Sequence, residues 1–282
     1  MTLFLLLVID NGHVYTTFLR SLYEPNKFTD HLKKYYLFIF FFISIGVVIH
    51  FTSPLFLWRF AFYATVFHYI KQNIGILKLL MAKDDKKDSK SIYTLYILQL
   101  IAVFGIHLKP DAKIEYYSPN DIWNFDNEVL FNYTIILYSI IVLFYLFYLC
   151  QQLKLNKELF PGHFFVLVTA ILFSLYSISG LNLNHYLLAL IASHGIPYMF
   201  LIKGKLKSRI PYLNIITVFA VALVFGLLEN YYEDNFINFS NETSKSLMNS
   251  LLSTLLLVPL FSHFFFDTYI WKRDLKEELL TD

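Results

Sequence analysis

Nine stretches of the chain are long and apolar enough to cross a bilayer, and they constrain the fold more than any motif does. A spanning helix needs about 20 mainly apolar residues, because hydrocarbon offers no water to an unpaired backbone group. The stretches are 2–20, 35–52, 55–78, 91–108, 129–150, 163–181, 184–202, 211–229 and 248–271. Short polar or Pro/Gly segments separate them, the longest being KPDAKIEYYSPNDIWNFDNE and NYYEDNFINFSNETSKS. No linker is large enough for a soluble domain. Composition agrees: 57% of residues are hydrophobic and 16% charged, against about 45–50% and about 25% in soluble domains. The sequence therefore predicts an all-α integral membrane protein, one polytopic membrane domain over 1–282. The N-terminus lacks a basic region and a small-residue cleavage site, so it reads as a first membrane helix and not as a removable signal.

Basic residues set the orientation, since Lys and Arg concentrate in cytoplasmic loops. Arg20, Lys27, Lys33 and Lys34 follow the first stretch, and Lys78, Lys83, Lys86, Lys87 and Lys90 follow the third. Lys154 and Lys157 follow the fifth, Lys203, Lys205, Lys207 and Arg209 the seventh, and Lys272, Arg273 and Lys276 the ninth. The alternate loops hold only Lys109, Lys113 and Lys245. Nine spans with the N-terminus outside and the C-terminus cytoplasmic satisfy this alternation, and a bacterial inner membrane is the expected location. A net charge of +2 gives no reason to expect nucleic acid. The single cysteine, Cys150, excludes an intrachain disulfide and Cys-rich metal sites.

Ionisable residues inside membrane helices are costly and mark functional sites. Of nine histidines, His50, His107 and His185 fall near outer helix ends, His163 at a cytoplasmic helix start, and His31 in a basic loop. These read as structural, although His185 or His163 joining a site stays open. The other four, His13, His68, His194 and His263, lie on helices of one direction. The next cytoplasmic basic residue follows by 7, 10, 9 and 9 positions respectively. At about 1.5 Å per residue, all four sit roughly 10–15 Å above the same boundary. Each has a polar companion at helical spacing: Asp10 before His13, Gln72 after His68, Tyr198 after His194 and Asp267 after His263. Pro197 and Pro259 are expected to distort their helices.

Alone, each histidine reads as a satisfied buried side chain; the shared depth is what points to a site. Three chemistries fit it. Imidazoles with carboxylates suit iron, zinc, manganese or copper. Haem would use two histidines as axial ligands and leave Asp10 and Asp267 unexplained. A metal-free network would relay protons or join helices. The paired histidine boxes of membrane desaturases are absent, as are Walker, serine-nucleophile and HEXXH patterns. The run KDDKKDSKS reads as a solvated loop, and SLLSTLLLV as small-residue helix packing.

The blocks DNGHVYTTFLR, HYIKQNIG, SHGIPY and HFFFDTYIWK resemble blocks of polytopic bacterial membrane proteins, which implies the membrane fold and no particular chemistry. In style the chain is similar to the Brp/Blh family of membrane carotenoid-cleaving dioxygenases, which binds iron through single histidines with nearby aspartates. That family's proline–histidine–glycine block is not reproduced at His13 or His68, and Ser193 precedes His194. The similarity thus implies iron, not a carotenoid substrate.

The expected function is a membrane-embedded metal-dependent enzyme of the non-haem iron type, an oxidoreductase. It would act on a lipid or isoprenoid-like apolar substrate drawn from the bilayer. His13, His68, His194, His263, Asp10 and Asp267 are its expected metal ligands, with Tyr198 or Tyr69 supporting proton delivery. The alternative is a proton-coupled transporter or other non-enzymatic membrane protein using the same buried His/Asp network. No pair of repeats with matching broken helices is visible to favour it.

Overall fold

The computed structural model describes residues 12–15, 17, 25–83, 87–110, 117–118, 120–155, 157–178, 195, 197–198, 215–236 and 246–273. Among them there is no strand. The helices are α1 (Pro25–Thr52), α2 (Pro54–Lys83), α3 (Ser89–Leu108), α4 (Glu128–Lys154), α5 (Pro161–Ile178), α6 (Ile215–Phe236), α7 (Leu247–Leu256) and α8 (Val258–Arg273). Local chemistry sets their ends. Proline opens α1, α2 and α5, where its missing N–H and fixed φ cost nothing. Asp88, Asn127 and Ser246 cap α3, α4 and α7 by accepting backbone N–H groups.

Among the described residues, four helices are long and apolar enough to cross a membrane: His31–Thr52, Ser89–Leu108, Glu128–Lys154, and Leu247–Thr268 running through α7 and α8. The chain is therefore an all-helical membrane protein. Its burial pattern agrees, because the outside carries the large apolar groups. On α4, Phe144 is 71% and Phe147 61% exposed, an outward face suited to lipid and not to water. Of the other expected spans, 2–20 and 184–202 lie almost wholly outside the described residues. The 55–78 stretch is helical in α2 but carries Arg59, Lys71 and Lys78. A shorter apolar helix, Pro161–Leu172, stands in the 163–181 stretch. His31, expected in a loop, lies inside α1.

The chain forms two compact units. In the first, α1 packs antiparallel along α7 and α8. Tyr35 stacks on Phe266 at 4.7 Å, Phe38 on Phe265 at 5.1 Å and Phe42 on Phe261 at 4.4 Å. Further along, Gly46 faces Thr254 so closely that a Cβ would lie 2.6 Å from Thr254 Cγ2. Small residues thus let two backbones approach, as SLLSTLLLV predicts. α7 and α8 meet at a turn at Leu257, two residues before Pro259, where Leu257 N–H bonds to Thr254 O at 3.2 Å. Residues 54–64 of α2 join this unit through Leu57, Trp58 and Ala61, which cluster with Leu256, Leu257 and Phe261.

Residues 65–83 of α2, with α3, α4 and α5, belong to the second unit. Its core joins Leu77, Met81, Leu95, Tyr145, Leu149 and Val166. Two pairs of polar groups inside it are bonded: Asn73 Nδ2 donates to Gln99 Oε1 at 2.9 Å, and Tyr138 Oη to Ala170 O at 2.6 Å.

Candidate functional site

The aromatic ladder facing α1 fixes the rotation of α8. His263 and Asp267 therefore project together from another part of its surface, one turn apart. Both are buried, at 0% and 3% exposure. His263 Nε2 lies 3.8 Å from Asp267 Oδ2. Donors held about 2.1 Å from one ion stand at most about 4.2 Å apart, so this separation fits a shared coordination sphere. The two residues are buried donors of the types that ligate metal ions.

Three residues distant in sequence surround the pair within the first unit. Thr17 Oγ1 lies 2.6 Å from His263 Nδ1 and 2.5 Å from Tyr198 Oη, and Tyr198 Oη donates to Asp267 Oδ1 at 3.2 Å. Each hydroxyl has one proton to give. Tyr198 spends its proton on Asp267, so it accepts from Thr17. Thr17 then accepts from Nδ1–H of His263. With Asp267 ionised, this chain of bonds puts the His263 proton on Nδ1 and leaves the Nε2 lone pair on the side of Asp267 Oδ2. A metal-binding imidazole is held in the same way, through the hydrogen bond of its other nitrogen. The buried His13 ring stands edge-on to His263 and Tyr198, with centroids at 5.0 and 5.9 Å.

Of the residues the sequence singles out, the first unit thus gathers His13, His263, Asp267 and Tyr198. Asp10 and His194 lie outside the described residues, as does His185. His68 and Tyr69 fall in the second unit and are buried. One turn beyond His68, Gln72 is buried at 3% exposure, and its amide makes no hydrogen bond among the described residues. Lys71 behaves as its helical angle predicts: it points outward, its Nζ 5.4 Å from the Phe67 ring centroid. Sequence reasoning missed Thr17. It follows His13 by four positions, a spacing that does not by itself mark a partner for a helix elsewhere in the chain.

Three further described histidines, His107, His50 and His163, bind structurally. His107 Nδ1 donates to Trp123 O at 2.6 Å, tying the following loop to the end of α3. His50 Nδ1 lies 3.0 Å from Ser250 Oγ, which itself donates to Ser246 O. His163 donates from Nε2 to Asp88 Oδ2 at 3.1 Å. Burial raises the Asp88 carboxyl, but hydrogen bonds from Ser91, His163 and Tyr148 outweigh it and hold the group below its ordinary value.

Chemically, the first-unit site offers two metal donors, a hydrogen-bonded path from His263 to Asp267, and a surround closed to water. The chain matches no protein-family model, no curated protein and no solved structure, so the functional reading rests on this geometry alone.

Proposed function

We propose that the chain is a membrane-embedded metal-dependent enzyme of the non-haem iron type, acting on a lipid or isoprenoid-like apolar substrate. The observation carrying this is the bond order from His263 through Thr17 and Tyr198 to Asp267, which orients an imidazole lone pair beside a carboxylate oxygen. Burying a carboxylate costs several kcal/mol unless it is compensated, and a divalent cation compensates it. His13, His68, His194 and Asp10 are proposed as further donors on the strength of their common sequence depth. Imidazole with carboxylate suits iron, and the likeness in style to the Brp/Blh family favours it.

When bound, the metal would supply Lewis-acid or oxygen chemistry. The chain's own residues do the rest. Thr17 holds His263 in one tautomer. Tyr198 holds Asp267 and is the hydroxyl placed to pass a proton; Tyr69 is the second candidate for that role. Burial of both donors, at 0% and 3% exposure, excludes water. Nine spans in one polytopic domain, an outer N-terminus, a cytoplasmic C-terminus and a bacterial cytoplasmic membrane complete the proposal, on the basic-residue alternation.

One observation favours the alternative, a proton-coupled transporter. The Thr17, Tyr198 and Asp267 oxygens form a continuous donor chain, which is also what a proton relay needs. Elemental analysis and the visible spectrum of detergent-purified protein separate the readings. Near-stoichiometric iron without a Soret band supports the enzyme, and a Soret band transfers the site to haem. A folded, metal-free protein from metal-replete cells rejects the metal reading and leaves the relay.

A further inference from the structure

A second polar site lies at one end of the second unit, remote in sequence from the His263 group. The start of α3, the last turn of α4 and the start of α5 meet there around a cavity of about 720 Å³. Both α3 and α4 are long and apolar enough to cross a membrane, and in a bilayer their paired ends would stand where hydrocarbon gives way to headgroups. The volume falls in the range of small-ligand pockets, about 300–1,000 Å³.

The lining is a braced floor under a cationic rim. Asp88 makes the brace. Its Oδ1 accepts from Lys90 N at 3.0 Å and Ser91 N at 3.2 Å, and its Oδ2 from Ser91 Oγ at 2.5 Å and His163 Nε2 at 3.1 Å. Tyr145 Oη, 2.7 Å from Ser91 Oγ, donates to it in turn. His163 Nδ1 accepts from Phe160 N at 3.3 Å, which keeps the ring proton on Nε2. The carboxylate is thus saturated from within and does not draw the lysines in. Lys87, Lys90 and Lys157 line the cavity with Glu158 as the one remaining carboxylate. Lys90 Nζ lies 4.9 Å from the Tyr148 ring centroid, and neither Lys87 nor Lys157 has an ion-pair partner among the described residues. Cations over aromatic walls at a membrane boundary suit a phosphate attached to an apolar tail.

We propose that this cavity, framed by Lys87, Lys90 and Lys157 above the Asp88–His163 brace, binds the phosphate of an anionic membrane-lipid headgroup. It involves no metal and stands whether or not the His263 site holds one. The same chemistry would take free phosphate, so the test has two arms. In the first, full-length protein in neutral detergent is mixed with phosphatidylglycerol or with phosphatidylcholine of identical chains, and retained lipid is read by native mass spectrometry. In the second, inorganic phosphate competes.

Phosphatidylglycerol is retained in preference to phosphatidylcholine. Its retention weakens roughly tenfold or more in Lys87→Gln/Lys157→Gln, yet stays unchanged in Lys33→Gln/Lys34→Gln, which removes the same charge from α1. Displacement by inorganic phosphate supports recognition through the phosphate group. Phosphate binding without lipid retention overturns the lipid source. Equal retention of both lipids, or equal loss in both double variants, overturns the site.

Discussion

Thr17 Oγ1 sits 2.6 Å from Nδ1 of His263, although they are 246 positions apart in the chain. The contact decides which nitrogen of His263 faces Asp267, so Thr17 governs the candidate metal site without entering it. Thr17→Val keeps the branched shape and removes the hydroxyl. It strands the Nδ1–H of His263, at a cost of about 1–3 kcal/mol for a buried group left unsatisfied. Metal affinity should fall about 10- to 100-fold, as for other changes behind a ligand, with the helical spectrum kept. A metal titration reads this, and unchanged affinity in Thr17→Val would remove the tautomer argument.

Tyr198→Phe probes the other end of the same chain. The ring stays edge-on to His13 and His263, and Asp267 loses its hydroxyl donor. The enzyme reading expects retained metal with lower turnover. The transporter reading expects loss of proton flux in vesicles and no metal in either protein. Metal analysis alongside a flux assay distinguishes the two.

How the two main helices of the first unit touch is also testable. At Gly46 a Cβ would come 2.6 Å from Thr254 Cγ2, whereas at Gly75 it would meet nothing within 4 Å. Gly46→Ala should therefore destabilise by about 1–3 kcal/mol. Gly75→Ala, inside α2, should be neutral or stabilising by up to about 1 kcal/mol. Thermal unfolding in detergent checks the pair, and equal shifts would mean the α1–α7 contact is looser than described.

Much of this was legible in the sequence. Hydropathy places 91–108 and 129–150 close to the observed α3 and α4, since lipid-facing helices advertise themselves residue by residue. The His263–Asp267 pair follows from helical spacing, and Tyr198 from its offset to His194. Thr17 was not legible as a partner, because helical threonines usually bond their own backbone, as Thr254 does to Ser250 O at 2.7 Å. The charge run around Asp88 reads as a solvated loop, and only the fold brings His163 across 75 residues to it. Spacing cannot report a pairing between helices, which is where most of the site lies.

The Asp88 brace carries a pH signature. Its folded carboxyl titrates below the ordinary value, so the folded state holds fewer protons than the unfolded chain. Its stabilisation is complete above the unfolded carboxylate range, near pH about 4. It is lost as pH falls through the lower folded value. Asp88→Asn should lower stability at neutral pH and flatten the acid limb of the melting curve. A variant as stable and as acid-sensitive as wild type would contradict the bond count at Asp88.

The central claim is that His263 and Asp267 hold a metal ion, and elemental analysis of matched variants tests it most directly. Wild type and His50→Ala, purified together from metal-replete cells, should carry the same metal near stoichiometry, because His50 bonds Ser250 and belongs to the packing. His263→Ala and Asp267→Asn should lose it while remaining folded. A folded wild type without metal, or a His263→Ala variant that keeps it, would contradict the account.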